Sequence, residues 1–138
     1  MNLDELPAGY QPSPDEPYMN PRQLAYFRRK LLDWRQALLD EWQQAVSQSP
    51  AGSENLGDEA DRASWESQHT LDLRTRDRYR RLLAEIDAAL KRIDDGSYGY
   101  CEDTGEPIGL QRLEARPIAS LTVEAQERRE RADAQYGQ

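Results

Sequence analysis

The stretch "YMNPRQLAYFRRKLLDWRQALLDEWQQAV", residues 18–46, constrains the fold of this chain more than any other. Asn20 can accept hydrogen bonds from the free N–H groups of the turn that follows, and Pro21 stands at the first helical position, where a missing N–H costs nothing. Apolar residues then recur at Leu24, Phe27, Leu31, Trp34 and Leu38 in steps of three and four, and Trp42 and Val46 continue the stripe. Such a seam needs a second helix to cover it. The first helix is therefore predicted from residue 20 to about 47. It ends in "SQSPAGSENLG", where Pro50, Gly52 and Gly57 break the pattern.

A second helix is predicted from residue 58 to about 95, with Gly96 as its stop. At 1.5 Å per residue it spans roughly 55 Å against roughly 40 Å for the first. Its stripe is thin at the start, with Ala60, Ala63 and Leu71, and firmer at Leu82, Ile86, Ala89, Leu90 and Ile93. Two seamed helices joined by a short polar loop predict a mainly α fold: a long antiparallel coiled-coil hairpin. Three segments follow. Residues 1–19, with four prolines and no periodicity, form an extended arm whose Tyr10 and Tyr18 can dock elsewhere. Residues 20–95 form the hairpin, with its tip near 48–63. Residues 96–138 form a small globular lobe, punctuated by Gly99, Gly105 and Gly109, and a C-terminal helix with Ser120 as its candidate cap. Tyr98, Tyr100, Ile108, Leu110, Leu113, Ile118, Leu121 and Val123 are expected to pack against the hairpin base.

Composition narrows the function. Charged residues make up 32% of the chain against 37% hydrophobic, and Phe occurs once, which disfavours a β-sandwich and a compact enzyme. A net charge of −8 disfavours direct, specific DNA binding, since phosphate neutralisation needs massed positive charge. The N-terminus lacks the basic flank and apolar run of a signal peptide, and no segment approaches the roughly 20 apolar residues of a membrane span. A cytoplasmic, soluble monomer with no membrane partner is expected.

Three motifs bear on chemistry. In "GDEADRAS", Asp58 and Asp61 suit the positive end of a helix as caps, or they present carboxylates, with the small Ala63 beside them, at the end of a narrow finger. In "LRTRDRYRR", Arg74, Arg78 and Arg81 share one helical face, with Arg76 and Arg80 close by. Five arginines within eight residues either pair with Asp72, Asp77 and Glu85 on a solvated face or dock on an acidic rim or a phosphate. In "GYCEDTGEPI", Cys101 looks like half of a metal-binding turn. Structural zinc takes four nitrogen or sulfur ligands, and this region offers one thiol and no histidine, so zinc is not expected and no cofactor is assigned. His69, the one histidine, is expected as a partly exposed helix residue, and Trp65 has no clear assignment.

The segments "YMNPRQLAYFRRKLLDWRQAL", "DEADRA", "LDLRTRDRYRRL" and "GSYGYCEDTGEPIGLQRLEARP" occur in the order found in the DksA/TraR family of bacterial RNA polymerase-binding factors. From Tyr18 onward the chain resembles the full-length rather than the short members of that family. The resemblance implies a non-enzymatic regulator whose coiled coil enters the secondary channel of RNA polymerase. There such factors inhibit ribosomal RNA promoters and help activate some amino-acid biosynthesis promoters. The family tip motif D-x-x-D-x-A falls on Asp58, Asp61 and Ala63, and the polymerase contacts fall on Arg74, Arg78 and Arg81. For the alarmone ppGpp, a possible effector in the stringent response, Leu82 and Arg116 match the family positions. Glu85 and Gln126 stand where lysines are common, which weakens attraction to a polyphosphate. The family's four zinc cysteines align with Cys101, Thr104, Thr122 and Ala125, so the resemblance implies a zinc-finger-like lobe that folds without metal, its zinc positions vestigial. Two alternatives are a transcript-cleavage factor that holds magnesium between tip acids and a generic coiled-coil adaptor.

Overall fold

The computed structural model describes residues 6–47 and 59–136, with side chains described at all of these but 59–61 and 136. The described chain is mainly helical: α1 is Pro21–Ser47, α2 is Glu59–Asp95, α3 is Leu110–Ala115 and α4 is Val123–Tyr136. The first two form a long hairpin-like pair. Arg28 meets Asp94 at 2.7 Å and the Trp42 ring meets Tyr79 at 5.5 Å, so position rises along one helix as it falls along the other. None of the described helices is long and apolar enough to cross a membrane.

The chain divides into two compact units, one of Met1–Asp33 with Ile86–Gln138 and one of Trp34–Glu85. In the first, α1 begins as its sequence dictates. Asn20 Oδ1 accepts from the N–H groups of Arg22 at 2.8 Å and Gln23 at 3.1 Å. At the far end of α2, Gly96 takes φ 86°, and the N–H groups of Ser97 and Tyr98 both return to the Arg92 carbonyl. A left-handed residue closing a helix in this way is what glycine permits at low cost.

Phe27, Leu31, Ile86, Ala89 and Leu113 are wholly buried in this unit, with Tyr98 nearly so. Their side chains fill one apolar core, in which Phe27 lies 5.7 Å from the Tyr98 ring and 5.1 Å from Tyr26. The Tyr98 hydroxyl, buried with the rest, donates to the Pro117 carbonyl at 2.8 Å, so its burial leaves no polar group unpaired. Of the apolar residues expected here, Ile108 and Leu121 are also buried, Leu110 and Ile118 are half-buried, and Tyr100 and Val123 are exposed. Val123 opens α4 and points off its buried side, which Ala125 occupies.

Residues 6–19 dock on this core. The Tyr18 hydroxyl donates to the Gly99 carbonyl at 2.7 Å and accepts from the Gly109 N–H at 2.9 Å. Gln23, fully buried, accepts from the Met19 N–H at 2.8 Å and donates to the Ser13 carbonyl at 3.2 Å. Gly99 has φ 91°, and a Cβ there would lie 2.7 Å from Met19 Cγ, so both its conformation and its space require glycine.

The second unit is built differently. Leu38 is buried, but Trp34, Trp42, Trp65, His69, Asp72, Tyr79, Leu82 and Leu83 are only half-buried. The expected thin stripe through Ala63 and Leu71 is not the inner one, since both are exposed. The sheltered positions there are Trp65, Gln68, His69, Asp72 and Tyr79, mostly polar or aromatic. Trp42 is held between the Tyr79 ring and the Arg76 guanidinium, which sits 5.6 Å from the indole centroid.

Candidate functional site

Three groups of residues carry the expected chemistry, and each falls on a different local structure. At the start of α2, Asp58 lies outside the described residues. Asp61 is in the first turn of the helix, with a side chain outside the description, and Ala63 is exposed. Farther along, Trp65 and His69 stack with ring centroids 4.9 Å apart and planes 8° from parallel. His69 Nδ1 is buried without a hydrogen-bond partner among the described groups.

The five arginines separate by role. Arg76 is committed to the Trp42 ring, and Arg80 lies 3.9 Å from Asp77 one turn away. Arg74, Arg78 and Arg81 are exposed, on one face of α2. A guanidinium presented this way can take a carboxylate in bidentate geometry, and three in register make a strip of positive charge on a chain that is acidic as a whole. Leu82, next in sequence, is half-buried in the second unit. Arg116 is exposed in the first unit, just past α3, where its N–H donates to the Arg112 carbonyl at 2.7 Å.

The third group is the turn at Cys101. Tyr100 and Pro107 pair across it as an isolated antiparallel bridge, the Cys101 N–H donates to the Glu106 carbonyl at 2.8 Å, and the Gly105 N–H returns to the Cys101 carbonyl at 2.9 Å. The structure brings together all four positions singled out in sequence. The Thr122 hydroxyl lies 3.8 Å from the buried Cys101 sulfur and also accepts from the Ala125 N–H at 3.2 Å. Thr122 is thereby the N-cap of α4, with its carbonyl accepting from Gln126 at 2.9 Å. The expected cap, Ser120, is two residues too early, because the polar residue nearest the helix start wins that role. Burial acts to raise the Cys101 pKa. Hydrogen bonds from the Thr104 hydroxyl and from the N–H groups of Thr122, Thr104 and Asp103 outweigh it, and the thiol is pushed down to about 7. Asp103 on the same turn pairs in a bidentate manner with Arg129 of α4, through Nε at 2.9 Å and through Nη2. That hydrogen bond holds the Asp103 carboxyl below the ordinary range.

Comparison with known proteins connects these groups. Residues 23–93 match the family model for the DnaK suppressor protein DksA, N-terminal domain, and residues 96–131 match the prokaryotic dksA/traR C4-type zinc finger. The chain is 60% identical over 124 residues to the RNA polymerase-binding transcription factor DksA of Caulobacter vibrioides, covering 90% of this chain and 87% of the relative. It is 46% identical over 115 residues to the protein of the same name from Escherichia coli, covering 83% and 76%. Among solved structures it is similar to transcription factor DksA2 from Pseudomonas aeruginosa, with a TM-score of 0.77, 39% identity, and 96% and 95% of the two chains covered.

The zinc-finger match corrects one expectation from the sequence, that of a lobe with no cofactor and no zinc. By family, residues 96–131 are a zinc-binding type of domain, and counting ligands alone missed that relationship. The donors present are nonetheless one thiol at Cys101, two hydroxyls at Thr104 and Thr122, and a methyl group at Ala125. Among the described residues no group of three or more His, Cys, Asp or Glu could hold a metal ion. These four side chains do not fit a four-thiolate ion.

Proposed function

The chain belongs to the DksA family, and from that premise we propose that it is an RNA polymerase-binding transcription regulator whose α1–α2 hairpin enters the polymerase secondary channel. The observation that carries this reading is the family match over residues 23–93, which takes in most of both long helices. The exposed strip of Arg74, Arg78 and Arg81 supports it, because a positive strip on an acidic chain favours an acidic rim over nucleic acid.

In this reading the arginine strip sets the depth of insertion. Asp58, Asp61 and Ala63 then reach toward the catalytic centre, where two carboxylates and one small side chain alter the balance between closed and open promoter complexes. Ribosomal RNA promoters, whose open complexes are short-lived, are inhibited, and some amino-acid biosynthesis promoters are activated. The chain performs no catalytic step. It acts as a monomer in the cytoplasm, where the polymerase works. Leu82 and Arg116 are the proposed ppGpp contacts, and Glu85 and Gln126, in place of cations, make the alarmone response weak.

Transcription in vitro from a ribosomal RNA promoter, with and without ppGpp, tests the reading. Purified protein should bind core polymerase and inhibit, and Asp61→Asn should retain binding and lose inhibition. Equal inhibition by the variant would remove the tip from the mechanism. Intact RNA is expected in a stalled complex after the protein is added, and cleavage there would favour a magnesium-holding role for the tip acids instead.

A further inference from the structure

Trp65 and His69 are one helical turn apart on α2, and their rings lie nearly parallel at 4.9 Å. Both are half-buried, whereas Ala63, Ser64, Glu66 and Ser67 around them are exposed. His69 Nδ1 is shielded from solvent yet finds no hydrogen-bond partner among the described groups. Hydrogen bonding at Nδ1 therefore does not set the imidazole plane, and the contact that accounts for its orientation is the face of the indole. A stack between residues four apart ties consecutive turns together, and here those turns directly follow the first one, which holds Asp61.

The first turn of any helix is its weakest part, since its N–H groups have no partners within the helix and fraying starts there. Leu71 and Leu73, the aliphatic residues that follow His69, are 51% and 45% exposed and contribute little burial. Leu38, the buried aliphatic residue of the same unit among the described residues, belongs to α1. From these observations we infer that the Trp65–His69 stack is a positioning element: it holds the opening turns of α2 in helical form and so fixes the backbone at Asp61 and Ala63. The inference deepens the function proposed above and, for its effect on transcription, rests on it.

Amide hydrogen exchange on the full chain, followed by polymerase assays, tests the inference. Trp65→Ala and His69→Ala should each speed exchange at residues 62–68 by roughly 2- to 10-fold, the range that loss of one aromatic pair allows. Exchange at residues 86–93 should stay unchanged. His69→Phe, which keeps a ring over the indole, should restore slow exchange. With polymerase, the two alanine variants should bind within about twofold of the parent, because both positions lie outside the arginine strip, and inhibit less. His69→Phe should inhibit as the parent does.

Unchanged exchange at 62–68 in both alanine variants would overturn the inference, and so would equal acceleration at 86–93. Faster exchange combined with full inhibition would also overturn it, by showing that the opening turns need no such support. A parent protein that neither binds nor inhibits polymerase would sink the proposed function instead, and the exchange comparison would still decide whether the stack holds the helix.

Discussion

The unit of Met1–Asp33 with Ile86–Gln138 and the unit of Trp34–Glu85 share two helices but are held together by different means. In the first, Phe27, Leu31, Ile86, Ala89 and Leu113 exclude water altogether, and the buried polar groups of Gln23 and Tyr98 are paired. In the second, half-buried tryptophans meet a tyrosine, a histidine and a guanidinium, with one buried leucine among the described residues. Complete burial stabilises most per residue and leaves nothing exposed for a partner. A half-buried aromatic seam stabilises less, and beside it the chain can present charge, as Arg74, Arg78 and Arg81 do. Stability and presentation are thus assigned to separate stretches of the same two helices.

Large-to-small substitutions give the widest separation between the two. Phe27→Ala should cost about 3–5 kcal/mol in urea unfolding, while Trp42→Ala, though it removes a larger ring, should cost roughly half as much because that ring already touches water. Equal losses would break the comparison. Next comes Tyr18→Phe, which removes a hydroxyl serving both Gly99 and Gly109 and should cost about 1–3 kcal/mol. A loss below that range would mean that water replaces the hydroxyl and that the N-terminal segment is less closely docked.

Arg78→Glu sharpens the comparison from the other side. Melting should shift little, within about 0.5 kcal/mol, as for other exposed positions. Polymerase affinity should fall roughly 3- to 10-fold, and added salt should narrow the gap. The smallest effect belongs to Asp103 and Arg129. Because the folded carboxyl titrates below its ordinary value, the pair adds stability above about pH 4, and that stability is lost as pH falls through the folded value. An acid-unfolding series should show a step there that Arg129→Gln removes, with the variant slightly less stable than the parent at neutrality and equal to it below the step.

Much of the first unit was legible because its signals are local and redundant. Asn20, Pro21 and the three-and-four spacing of α1 point to the same boundary, and Gly96 marks the end of α2 in a left-handed conformation that glycine adopts at low cost. The second unit was harder to read. Hydrophobic periodicity follows aliphatic residues, and between residues 65 and 79 the sheltered positions carry Trp, Gln, His, Asp and Tyr, while Leu71 and Leu73 lie outside. A search for aromatic residues in steps of three and four would have found Trp65 and Tyr79. Spacing put Arg74, Arg78 and Arg81 on one face and Arg76 only close by, and what it could not show is that Arg76 rests on Trp42. Asp61 and Ala63 are assigned to the tip by motif, and Asp58 lies outside the described residues. At the turn at Cys101 the zinc-finger plan was legible from the resemblance, whereas ligand counting led to an expectation of no zinc that the zinc-finger family match corrects.

The Tyr18 hydroxyl has a consequence for the order in which the chain folds. Its two partners lie 81 and 91 residues away in sequence, whereas Tyr79 and Glu41 of the second unit are separated by 38. During synthesis, the pairing of residues 34–85 can start as soon as the second helix has left the ribosome. The first unit, assembled from both ends of the polypeptide, must wait for Gly109 to emerge. The half-buried seam is therefore free to form first, and the dry core closes last.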